Sequence, residues 1–140
     1  MLKLRTIGAI EHGEYAYEDA TIASEMKNGA FGAITSGAFT TAATATKAIM
    51  IEEVGDDAYM DEYKIPKGSH VKVADLTKIK TFEAYGHPLP ATYAKDNKLV
   101  SKADGTLEVK ASATAPYFKV DEVIYVSGLP VGAVLTIVTA

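Results

Sequence analysis

The sequence predicts a mainly β fold, a compact barrel or sandwich carrying an extended N-terminal arm. Three observations predict it. Short β-prone runs separated by Pro, Gly and Asp-Gly turn signals follow one another from Ala48 onward. Little of the sequence reads as helix. The stretch from Gly29 to Lys47, GAFGAITSGAFTTAATATK, offers only Phe31, Ile34 and Phe39 as large apolar groups. With 140 residues, 48% hydrophobic and 23% charged, the chain has the size and composition of one globular domain.

At the N-terminal end, Tyr15, Tyr17, Glu18, Asp19, Ile22, Ala23 and Met26 fit one or two helical turns. Asn28-Gly29 would end them, because glycine tolerates the left-handed conformation that follows many helices. The next stretch is too poor in large side chains to build a core alone. It suits an extended segment laid across another surface, each Phe filling a pocket while Gly and Ala permit close approach. A loop packed on its own domain fits the same composition. Residues 1–47 are assigned to the arm and residues 48–140 to the compact β domain. Gly29-Ala30-Phe31 recurs as Gly37-Ala38-Phe39, too few copies for a solenoid.

Ala48 to Val54 is a short apolar run closed by Gly55-Asp56-Asp57, and Tyr59 to Ile65 leads into the turn Pro66-Lys67-Gly68. Val71, Val73 and Asp75 then share one alternation, with His70, Lys72 and Ala74 on the other, so Val71 and Val73 should point inward. Asp104-Gly105 between β-prone runs predicts a two-residue type I′ hairpin, pairing Lys102 with Leu107 and Val100 with Val109. Val120 to Val126 and Val131 to Val138 read as two more strands joined by Ser127-Gly128-Leu129-Pro130. Their near-continuous apolar character predicts burial on both faces or cover by another chain.

Composition excludes several function classes. Without cysteine there is no disulfide framework and no thiolate metal site. A net charge of −4 argues against a general phosphate-binding surface, hence against nucleic acid as a partner. No apolar run approaches the ~20 residues of a membrane helix, and Met1-Leu2-Lys3-Leu4-Arg5 does not lead into an apolar signal core. His12, His70 and His87 have no zinc-site spacing. Glu52, Glu53, Asp56, Asp57, Asp61 and Glu62 cluster without the calcium-loop pattern and read as a solvated rim. Asp121 and Glu122 are neighbours, so in a strand they face opposite sides and cannot act as a glycosidase pair. Phosphate-loop and GxSxG signatures are missing. No enzyme, cofactor or metal is expected.

Tyr63 to Leu76, YKIPKGSHVKVADL, resembles the I-P-x-G-x-x-V-x-x-x-D-L turn and strand of small β-clip modules, the antifreeze-like domains among them. The whole chain, small, acidic and cysteine-free, with a Gly/Ala/Thr-rich leader and the ending Gly132-Ala133-Val134-Leu135-Thr136-Ile137-Val138, resembles the head decoration (cement) proteins of tailed bacteriophages, including lambda-like members. This resemblance implies a β-clip or β-barrel-like domain on the outer capsid surface of the virion, bound to the major capsid protein as a homotrimer. Phe31, Ile34 and Phe39 would be the capsid-contacting anchors of the arm. Ile124, Val126, Leu129, Val131, Leu135 and Ile137 would form the oligomer interface. A carbohydrate- or ligand-binding β module, with Tyr85, Tyr93 and Tyr117 as stacking platforms, is the alternative.

Overall fold

The computed structural model describes residues 2–4, 17–50 and 64–139. In chain order the strands are β1 (Leu2–Leu4), β2 (Tyr17–Ile22), β3 (Met26–Lys27), β4 (Phe31–Thr35), β5 (Ala38–Thr41), β6 (Lys47–Ile49), β7 (Lys64–Ile65) and β8 (His70–Asp75). Helix α1 (Leu76–Ile79) precedes β9 (Thr81–Tyr85), β10 (Lys98–Ser101), β11 (Leu107–Val109), β12 (Tyr117–Val126) and β13 (Leu129–Val138). The fold is mainly β, as the sequence predicts. His12, Tyr15, the acidic cluster from Glu52 to Glu62 and the run from Tyr59 to Tyr63 lie outside the described residues.

Strands β2, β5, β4, β6 and β8 close into a barrel in that order, with β2 and β5 parallel and the other pairs antiparallel. Its interior holds Ile22, Phe39, Ile49, Val71 and Val73, with Met26 and Ile65 from the small β3–β7 pair. Five short strands enclose little space, so one aromatic ring fills much of it. Small residues in the wall make the ring fit: a Cβ on Gly32 would lie 2.1 Å from the Thr40 carbonyl oxygen and 2.8 Å from Phe39 Cζ.

A six-stranded antiparallel sheet, ordered β1-β9-β13-β12-β10-β11, packs on the outside of this barrel. The second core lies between the two. Phe31, Ala48 and Ala74 contribute from the barrel wall, and Phe82, Leu99, Phe118 and Leu135 from the sheet. The Phe31 and Phe118 rings meet edge to face at 5.2 Å, and Phe118 meets Phe82 the same way at 5.6 Å. Strand β8 serves both cores, with Val71 and Val73 inside the barrel, as predicted, and Ala74 outside it.

Four local expectations are corrected. Tyr17 to Ile22 is a strand and not a helical turn, since its pairing with β8 carries Ala20 and Ile22 inward while Glu18 and Asp19 stay exposed. The change of composition at residue 47 is not a structural boundary: the segment assigned to the arm supplies barrel wall from Tyr17 on, and residues 47 and 48 both sit within β6.

The Asp104-Gly105 hairpin is not type I′, because only Gly105 takes a positive φ. Gly105 N–H donates to the Lys102 carbonyl and Lys102 N–H to the Thr106 carbonyl, giving a three-residue loop ending on a left-handed glycine. The Asp104 carboxylate accepts from both the amide and the hydroxyl of Thr106, which favours this local turn. The register moves by one residue, so Val100 faces Glu108, Leu99 faces Val109, and Val109 is exposed while Leu107 is buried.

The two-residue turn stands instead at Ser127-Gly128, where both residues have positive φ, which assigns Leu129 and Pro130 to β13.

Candidate functional site

Strands β12 and β13 are ten residues each, longer than the strands beside them. Pairing of β9 with β13 stops at Gly132 opposite Tyr85, with one further bond from Gly86 N–H to the Val131 carbonyl. On the other side, the cover of β12 ends where Val120 exchanges bonds with Asp96 and Asn97, since the turn from Ala94 to Asn97 leads the chain away. From Val123 to Val131 the hairpin therefore projects as a two-stranded ribbon.

Its side chains are those of a contact surface. Tyr125 is 62% exposed, Val126 58%, Leu129 68% and Val131 36%. No charged side chain occurs from Val123 to the end of the chain. Exposed apolar residues contiguous at a projecting tip, unlike ones scattered singly, mark an interaction site. Two register shifts twist the ribbon, one leaving Asp121 without a register partner on β13 and one leaving Val131 without a register partner on β12. Asp121 accepts a hydrogen bond from the Thr136 hydroxyl, which in turn lies 3.0 Å from that of Thr81. Tyr93 lies beside the ribbon: burial first, and then the nearby Tyr125, push its hydroxyl above the ordinary tyrosine value.

The predicted site residues divide. Phe31 and Phe39 are fully buried in the chain's own two cores, and Ile34 is partly buried against the barrel interior. The two phenylalanines are thus unavailable as anchors for another surface. Leu135 and Ile137 belong to the second core, so they too leave the proposed oligomer interface. Val126, Leu129 and Val131 are exposed, with Ile124 partly buried beside them. Tyr125, the most exposed aromatic of the ribbon, was not singled out as an interface residue. Its signal was its place two residues before a Ser-Gly turn in an uncharged run.

The three tyrosines of the alternative reading do not form one platform. Tyr85 pairs with Gly132 and its ring covers that glycine, while Tyr117 pairs with Val138 at the far end of β13, about 20 Å away. Tyr85 donates to Glu83, and Lys98 sits 5.0 Å from the Tyr117 ring centre.

Described residues also line two open grooves. One, of about 400 Å³, runs between Leu89-Pro90-Ala91 and the edge strand β11. The other, of about 360 Å³, is lined by Lys27, Lys64, His87 and Asp104 among others. In it His87 Nδ1–H donates to the Asn28 carbonyl at 2.9 Å, a bond that ties two loops together. The hydrogen bonds from Thr106 hold the Asp104 carboxyl below its ordinary value, with smaller contributions from Lys102 and His87. His70 is exposed on β8, on the alternation predicted for it. Among the described residues no three His, Asp or Glu side chains gather as a metal site would require.

The chain matches no known protein-family model, and no curated protein or solved structure is significantly similar to it.

Proposed function

We propose that the chain is a non-enzymatic structural protein that binds the outer surface of a tailed-phage head, contacting the major capsid protein and clamping neighbouring capsid subunits. The observation that supports this most is the uncharged apolar tip of the β12–β13 ribbon, carried on a rigid two-core β body. A projecting tip without charges suits a dry, shape-matched contact, and many copies on a closed shell would add avidity to a contact that is weak in a single copy. The resemblance of the chain's ending to those of head decoration proteins points the same way.

The capsid contact is accordingly placed on Leu129, Pro130 and Val131 and not on Phe31 and Phe39. Co-sedimentation with expanded empty heads, assembled from a tailed-phage major capsid protein, tests the reading. Wild type should saturate the heads at a fixed copy number, and Leu129→Asp should fail to bind. Wild-type protein left wholly in the supernatant would overturn it.

A further inference from the structure

The backbone of the ribbon defines a second contact more closely than its side chains do. Along β13 the bonds of Val131 to Gly86 and of Ile137 to Lys80 show that odd-numbered residues face β9. Gly132 and Val134 therefore face β12, where they pair with Ile124 and Glu122. Val123 must then turn its N–H and C=O away from β13. At the tip, Val126 and Leu129 flank a two-residue turn and exchange bonds with each other, so Tyr125 also points its backbone outward. Both residues lie beyond the point where Asp96 and Asn97 stop covering β12.

The two edges of the ribbon differ. Pro130 removes a donor from the β13 edge, which blunts it against pairing. The β12 edge carries neither proline nor charge at these positions. A lipid surface would cover the apolar side chains but leave the outward amides and carbonyls without partners. Another strand would satisfy both.

We propose that this edge pairs with the same edge of a second copy of the chain, antiparallel about a twofold axis. One register engages every outward group: Val123 of each copy opposite Tyr125 of the other, with Ile124 on the axis facing its own counterpart. That register places Glu122 opposite Val126, so no like charges meet across the interface. The inference stands apart from the head-binding reading, and its twofold pairing replaces the threefold association that the resemblance implies.

Two variants of the full chain test it. The native chain has no cysteine. Residues directly opposed in a non-hydrogen-bonded antiparallel pair have Cα atoms about 4.5 Å apart, within disulfide range. Ile124→Cys should therefore oxidise readily to a covalent dimer, and Ser127→Cys, away from the axis, should not. Tyr125→Pro removes an outward N–H without touching the ribbon's own ladder, and should weaken association by roughly tenfold or more in sedimentation equilibrium. A wild-type chain that stays monomeric at all concentrations would overturn the proposal. So would association unaffected by Tyr125→Pro, or Ile124→Cys cross-linking no better than Ser127→Cys.

Discussion

The segment from Gly29 to Lys47 and the terminal hairpin exchange the places that their compositions suggest. The first, rich in Gly, Ala and Thr, forms barrel wall and turns Phe31 and Phe39 inward, each wholly buried in a separate core. The second, with an almost unbroken apolar run, leaves Tyr125, Val126, Leu129 and Val131 in solvent. Burial is decided by the space available and by the neighbours that cover it, not by the number of apolar groups in a segment. A narrow barrel needs small wall residues and a single large ring. A hairpin longer than its flanking strands must expose whatever its ends carry.

The largest expected effect breaks the comparison on the barrel side. Phe39→Ala should lower the unfolding free energy by about 3–5 kcal/mol in denaturant titrations, the cost of emptying a packed aromatic site. A loss below about 0.5 kcal/mol would return Phe39 to the surface.

Gly105→Ala should follow, at about 1–3 kcal/mol. Gly105 has φ +85°, its carbonyl accepts from Phe31 N–H at 2.9 Å, and a Cβ there would lie 2.8 Å from Thr41 Cγ2. This substitution reads the docking of the β10–β11 hairpin on the barrel, because the clash falls on barrel residues.

On the ribbon side the same class of change should do little. Leu129→Asp should shift stability by no more than about 0.5 kcal/mol, since the side chain is already in solvent. A loss comparable to that of Phe39→Ala would mean that the tip packs on the body.

The distribution of what was legible follows the same physics. The mainly β class, the inward pair Val71 and Val73 and the order of the last strands were readable, because alternation and turn residues are local signals. The end of β8 was not read: Asp75, placed on the same alternation as Val71 and Val73, accepts from Thr77 N–H on its carboxylate and caps α1. Barrel closure was not readable: the parallel pairing of β2 with β5 joins residues such as Ile22 and Phe39 that share no local pattern. The hairpin register failed for a different reason. Asp-Gly suits both a two-residue loop and the last two residues of a three-residue loop, and the Thr106 bonds to Asp104 select the second. Of the candidate site, the apolar run was visible and its exposure was not, because exposure depends on where β9 and β10 stop.

The smallest effect sharpens the link between the ribbon and the body. Burial and Tyr125 both raise the Tyr93 value above 10.0, so the folded state holds that proton more tightly than the unfolded chain. The resulting contribution is intact below about pH 10 and is lost as pH rises through the folded value. In an ultraviolet titration, Tyr125→Phe should lower the Tyr93 midpoint but leave it above the ordinary value, because burial is the larger cause. An unchanged midpoint would separate Tyr93 from the ribbon.

Amide hydrogen exchange resolved to single residues weighs the two regions in one experiment. Amides bonded within the barrel from Phe31 to Thr41 should exchange only through global unfolding, while those of Val123 and Tyr125 should exchange fast in dilute solution and slow down as concentration rises. Rapid exchange throughout Phe31 to Thr41, with Val123 and Tyr125 protected at every concentration, would contradict the account.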